Sequence, residues 1–283
     1  MAGASMIAHI PYFDTPHWVA IAMTPLVPVL LWWVLKSKEG DLWKDRVAYI
    51  LAGLLFLNEI AYRIYFYSIA ETTTQFLNNA LPLHICPLSL FAGLIAITRR
   101  SQLAYEISFF WALTAPVNAI LTHDIMRPFP SFEFIGYFVS HCGAIWAALY
   151  ATLVLKMRPE WKSIWRAFKA FNVTLVILAV VNITLGGANY AFLLEAPESD
   201  TPFFFAPWPW YIPVLELISV GMFTVAYLPF HFMDRWKAKA SAGESQTKFK
   251  AFCFYSAKRC SMAFSTSRLT MSAQRRMPLR SMM

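Results

Sequence analysis

Residues Phe134 to Leu155 read FIGYFVSHCGAIWAALYATLVL, without one Asp, Glu, Lys or Arg. A helix rises about 1.5 Å per residue, so crossing the roughly 30 Å of bilayer hydrocarbon takes roughly 17 to 25 mostly apolar residues, which this run supplies. Six more stretches fit the same window: His17–Leu35, Val47–Ile69, Leu81–Thr98, Leu103–Leu121, Ala167–Leu185 and Trp208–Phe230. None shows the period-two alternation of a barrel strand, and backbone groups in lipid must be satisfied within their own segment, so the spans are read as helices. A chain that is 58% hydrophobic and 14% charged, with a mean hydropathy of +0.48, is not an ordinary soluble domain. The expected fold is all-α, a polytopic membrane bundle of about seven transmembrane helices over residues 17–232. A short outer segment, 1–16, precedes it, and a basic tail, 233–283, follows.

Charge orients the bundle. Of the 24 basic residues, 22 fall on one side of it: in the segments after spans one, three and five, and in the tail. By the positive-inside rule the N-terminus is expected outside and the C-terminus in the cytoplasm of a multi-pass cell-membrane protein, a near-clean partition that favours seven spans over six. The net charge of +8 therefore reflects topology and not nucleic-acid binding. Trp208, Trp210 and Tyr211 would form part of the outer aromatic belt, and Trp43, Trp161 and Trp165 part of the inner one. No basic n-region precedes span one, so no cleaved signal peptide is expected.

With this orientation the intramembrane polar residues concentrate in the outer half. Asn58 and Glu59 fall near mid-membrane and Arg63 above them; His84, Cys86, Asn118, His123, His141, Cys142, Asn182 and Glu216 all fall toward the outer surface. Intramembrane ionisable groups are functional by default, so a polar pocket opening outward is expected. Simpler accounts stand beside that one. Glu59 and Arg63 are four residues apart on one helical face, where an internal ion pair lowers the cost of burying both. Asn118 and Asn182 read first as interhelical hydrogen-bonding residues. Glu216 would pair with Arg63 or a histidine.

The segment Leu81-Pro-Leu-His-Ile-Cys-Pro-Leu-Ser-Leu90 carries the sharpest chemistry. Pro82 and Pro87 remove backbone donors and loosen the start of span three, leaving carbonyls that only a protein-lined or wet cavity tolerates. His84 and Cys86, two apart, do not share a helical face. A cysteine becomes nucleophilic when a base favours its thiolate, and in a bundle that base can come from another span. His141 lies at a comparable depth. Against this, buried cysteines are commonly inert and buried histidines commonly just hydrogen-bonded.

LPLHICPLSL around Cys86, FPSFEFIGYFVSH at Phe129–His141, RPEWKSIWRAF at Arg158–Phe168 and APWPWYIPVLEL at Ala206–Leu217 together resemble the YwaF-like family of bacterial integral membrane proteins. The likeness runs from about His17 to His231. That family is related to a eukaryotic transmembrane acyltransferase acting on ether lysophospholipids and, more distantly, to membrane hydrolases of fatty acid esters of hydroxy fatty acids. The resemblance implies a nucleophile at Cys86, a base at His141 and membrane lipids as partners. His84, Asn58, Asn118 and Asn182 are then candidates to donate to an oxyanion, and Glu216 to orient His141. No cofactor or metal is expected.

Other classes remain open, a non-catalytic structural or scaffolding membrane protein among them. A transporter or channel would run along Glu59, Arg63 and Glu216, although neither internal repeats nor Gly-interrupted half-helices stand out. A metal or haem site would draw on His84, His123 and His141, without tight ligand spacing. A retinal photoreceptor is excluded because span seven has no Lys for a Schiff base. Cys86 and Cys142 could pair, which would remove the nucleophile; Cys253 and Cys260 in the tail are expected to be free thiols. The tail beyond about Ala240 has no helical period and is expected to be disordered.

Overall fold

The computed structural model describes residues 12–38, 40–197 and 203–239, and its regular elements there are all helical. They are α1 (Thr15–Leu35), α2 (Leu42–Ile69), α3 (Thr73–Asn79), α4 (Ile85–Arg99), α5 (Gln102–Ala112), α6 (Ala115–Leu121), α7 (Phe132–Leu153) and α8 (Trp161–Leu185). A 3-10 turn follows at Tyr190–Phe192, then α9 (Tyr211–Lys239). The chain divides into a unit ending at Leu228 and a second from Pro229, whose described part is the C-terminal stretch of α9. The remainder of the tail, 240–283, and residues 1–11 lie outside the described residues.

Helix starts follow side-chain capping. The Asp14 carboxylate accepts from His17 N–H at 2.9 Å to open α1, and Ser131 Oγ accepts from Phe134 N–H at 3.2 Å to open α7. Glu160 and Ser163 form a reciprocal capping box on α8, which ends at Gly186 in the left-handed region (φ +71°). These contacts satisfy amides that a helix leaves unpaired at its first turn.

Five helices, α1, α2, α7, α8 and α9, are long and apolar enough to cross a membrane. The stretches read as spans three and four differ from the continuous helices expected of them. Helical structure in the first begins only at Ile85, after Pro82, so α4 has 15 residues. The second divides at Leu113–Thr114 into α5 and α6. Pro116 explains the division: it has no N–H to donate to the carbonyl of Ala112, one turn back, and its ring clashes with that carbonyl, so α5 ends at Ala112 while Pro116 is accommodated in the first turn of α6.

One helix organises the first unit. In α7, 67% of the most apolar window is buried, against 11–28% in the other four long helices. It packs against α1, α2, α4, α5 and α6, while α4 also packs closely on α5. Small residues permit these approaches: a Cβ added at Gly93 would stand 2.8 Å from both Ala147 Cβ and Ser108 Oγ. The outward faces of α1, α2 and α8 carry Trp33, Ile50, Leu54, Leu57, Val176 and Ile183, all more than half exposed. Apolar surface of that extent is stable against hydrocarbon and not against water.

Candidate functional site

The residues before α4 form a short irregular segment held by its neighbours. Arg63 Nη1 donates to Ala80 O at 2.9 Å. Tyr190 Oη accepts from Leu81 N–H at 3.1 Å and donates to Leu77 O at 2.6 Å. Tyr190 is fixed in turn by Asn182, whose amide oxygen accepts from Tyr190 N–H at 2.8 Å and whose Nδ2 donates to Tyr190 O at 3.0 Å. The segment delivers His84, the residue capping α4, and Cys86, in its first turn, to one wall of a cavity.

That cavity, of about 210 Å³, is lined by His84, Cys86, Thr114, Asn118, Phe171, Phe192, Phe204, Ile218, Ser219 and Met222, among others. Its wall is apolar and aromatic apart from the polar groups of His84, Cys86, Thr114, Asn118 and Ser219. The break between α5 and α6 contributes Thr114 and Asn118. A larger apolar crevice of about 420 Å³ lies between α1 and α7, lined by Val19, Met23, Phe138 and Trp146. Its polar side chains are committed: Cys142 Sγ lies 3.2 Å from Thr24 Oγ1, and Trp146 Nε1 donates to Met23 O.

Carbonyl partners assign the imidazole protons. His141 Nδ1 lies 2.8 Å from Tyr137 O; a carbonyl only accepts, so Nδ1 carries the proton and Nε2 keeps the lone pair. His84 Nδ1 instead accepts from Ala191 N–H, at a long 3.4 Å, which leaves the proton of the neutral ring on Nε2. The ring of His141 stacks on Tyr137 at 4.0 Å. Cys86 and Cys142 are both free thiols.

The sequence candidates separate by what their side chains already do. Asn58 donates to Gly136 O at 3.2 Å across the α2–α7 crossing, and Asn182 clamps Tyr190. Asn118 is the asparagine among them whose amide has no hydrogen bond among the described residues, and it faces the cavity beside Cys86. Glu59 and Arg63 are ion-paired at 2.8 Å. Glu216 on α9 makes no hydrogen bond or ion pair among the described residues and does not line the cavity, so the structure brings it to neither Arg63 nor a histidine. No group of three or more His, Cys, Asp or Glu arranged to hold a metal occurs among the described residues.

Two polar features escaped the sequence reading. Ser140 Oγ donates to Glu59 Oε1 in a short hydrogen bond. Glu106, with no exposed surface, receives Arg166 Nε and Nη2, both at 2.6 Å. Both links join different helices, which spacing within one segment does not reveal.

Comparison with known proteins gives one match: the model of the TMEM164 family covers residues 12–227. No curated protein and no solved structure matches the chain.

Proposed function

The chain belongs to the TMEM164 family of membrane proteins, and from that premise we propose that it is an enzyme of lipid acyl groups. Cys86 is the nucleophile and His141 the general base. The observation that carries this reading is the cavity at Cys86: a thiol, a neutral imidazole N–H and an uncommitted amide open onto an otherwise apolar space. Acyl chains require the apolar wall, and an ester carbonyl requires the polar end.

His141 Nε2 takes the Cys86 proton, and the thiolate forms a bond to the ester carbonyl carbon. The resulting oxyanion is stabilised by His84 Nε2–H and the Asn118 amide. Collapse breaks the ester C–O bond, the leaving lipid alkoxide takes the proton from His141, and a Cys86 thioester remains. An acceptor hydroxyl, of a lysolipid or of water, then loses its proton to His141 and attacks the thioester, returning the proton to the sulfur. Asn182 and Asn58 hold the scaffold in this scheme and do not touch the reacting atoms.

The same reading places the protein in the cell membrane with its N-terminus outside and its C-terminus cytoplasmic. The short α4 and the broken α5–α6 pair lie within the bilayer, for seven crossings in all. A half-helix pair and an irregular segment are tolerated at membrane depth where they line a protein cavity, as these do.

Cells expressing wild type, Cys86→Ala and His141→Ala at matched inserted levels test the proposal by lipid profiling. A shift in acyl composition with wild type, absent in both variants, supports it. Wild-type behaviour in Cys86→Ala rules out the nucleophile, and no change with wild type removes the lipid reading.

A further inference from the structure

Glu59 on α2 is 98% buried, yet both carboxylate oxygens are used. Oε1 accepts from Ser140 Oγ on α7, the residue immediately before His141. Oε2 accepts from Arg63 Nη2 at 2.8 Å, and the other terminal nitrogen of that guanidinium donates to Ala80 O at 2.9 Å. Ala80 opens the irregular segment that leads into α4, whose second residue is Cys86. A single chain of hydrogen bonds thus runs from the helix carrying the imidazole, through one buried acid and one arginine, to the backbone carrying the thiol.

An ion pair that served only to mask two charges would need neither end. Here one carboxylate oxygen and one guanidinium nitrogen each bond a different element, while Arg63 Nε has no hydrogen-bond partner, and Cys86 and His141 have no hydrogen bond to one another among the described residues.

We propose that Glu59 and Arg63 are positioning residues, whose buried pair holds the Ser140–His141 turn of α7 and the Ala80–Cys86 segment at one fixed separation. This rests on the reading of Cys86 and His141 as the reacting pair. A misplacement of about 1 Å between reacting groups costs on the order of 10²-fold in rate, so the strut acts on turnover and not on substrate affinity.

The test uses the full chain in lipid nanodiscs, with Glu59→Gln, Ser140→Ala and Arg63→Lys. Two readouts are taken: kcat and KM for acyl transfer from a phosphatidylcholine donor to a lysophospholipid, and the alkylation rate of Cys86 by a membrane-permeant iodoacetamide in a Cys142→Ser background. The alkylation rate does not depend on lipid turnover. Ser140→Ala removes only the α7 end, and Arg63→Lys keeps the charge while losing the two-ended fork. The expected result is a fall in kcat of about 30-fold or more with KM within about twofold, together with an alkylation rate changed by about tenfold at fixed pH. Loss of kcat only in proportion to loss of folded protein, or unchanged alkylation in all three variants, overturns the strut. If wild type turns over no lipid while the variants still alter Cys86 alkylation, the acyl-transfer reading fails and the strut stands.

Discussion

Arg166→Ala removes two 2.6 Å hydrogen bonds from a carboxylate with no exposed surface. Stripping the partner from a buried charge costs about 3–5 kcal/mol. Two features of the site reduce that figure. The Arg166 side chain is 44% exposed, so water reaches the vacated position, and Gln102 Nε2 still donates to Glu106 Oε1 at 2.9 Å. We therefore expect a loss of about 2–3 kcal/mol. Glu106→Gln leaves no buried charge, while Arg166 retains solvent and Glu160 at 3.8 Å; its cost should be about 1 kcal/mol. The double variant should be more stable than Arg166→Ala alone, which requires a coupling larger than the roughly 1 kcal/mol cost of Glu106→Gln; about 2 kcal/mol is expected. Reversible unfolding in mixed micelles with rising SDS, followed by circular dichroism, measures all three against the exposed control Lys169→Ala, which should stay within about 0.5 kcal/mol. If Arg166→Ala matches that control, or the double variant is no better than the single, the pair does not fasten α5 to α8 as described.

Asn182→Ala deletes both hydrogen bonds to the Tyr190 backbone and should cost about 2–3 kcal/mol locally, read as faster hydrogen exchange across residues 186–192. Gly93→Val places a side chain 2.8 Å from Ala147 and Ser108, and should lower stability by about 1–3 kcal/mol in the same micelle titration. Asn118→Ala should reduce acyl-transfer kcat by about 10²–10³-fold if its amide meets the oxyanion, with Asn58→Ala affecting stability instead. Equal kcat losses in the two asparagine variants would contradict the assignment.

The membrane class, the extent of α1 and the C-terminal ends of α2 and α8 are legible from the apolar runs, because length against bilayer thickness is a strong constraint, whereas α2 and α8 begin at Leu42 and Trp161, ahead of the apolar runs that start at Val47 and Ala167. The interruptions are harder. Pro82 and Pro116 are visible in the sequence, but whether a proline kinks a span or ends a helix depends on what lines the gap, and here it is the cavity holding His84, Cys86 and Asn118. Glu59 and Arg63 are legible as neighbours because four residues is one helical turn. The attachments of that pair to Ser140 and Ala80 are not, since they depend on which face of α2 meets α7, and faces that are apolar all round carry no such mark. Asn182 illustrates the same limit from the other side: an asparagine expected to bridge helices clamps a turn eight residues further along its own chain. The motifs that resemble YwaF-like proteins fall within residues 12–227, where the matching family model is that of the TMEM164 family and not a YwaF-like one.

The burial of α7 also bears on how the chain is made. Its most apolar window has a mean hydropathy of 1.3, the lowest of the five long helices, so it gains least from lipid alone. The helices it packs against, α1, α2, α4, α5 and α6, all precede it in the chain. Where helices emerge in chain order, Phe132–Leu153 is the last of this packed set to be made, after α2, which carries the Glu59 that receives Ser140. Biosynthetic order thereby shelters the least lipophilic of the long helices, and insertion and the joining of its buried polar contacts become a single event.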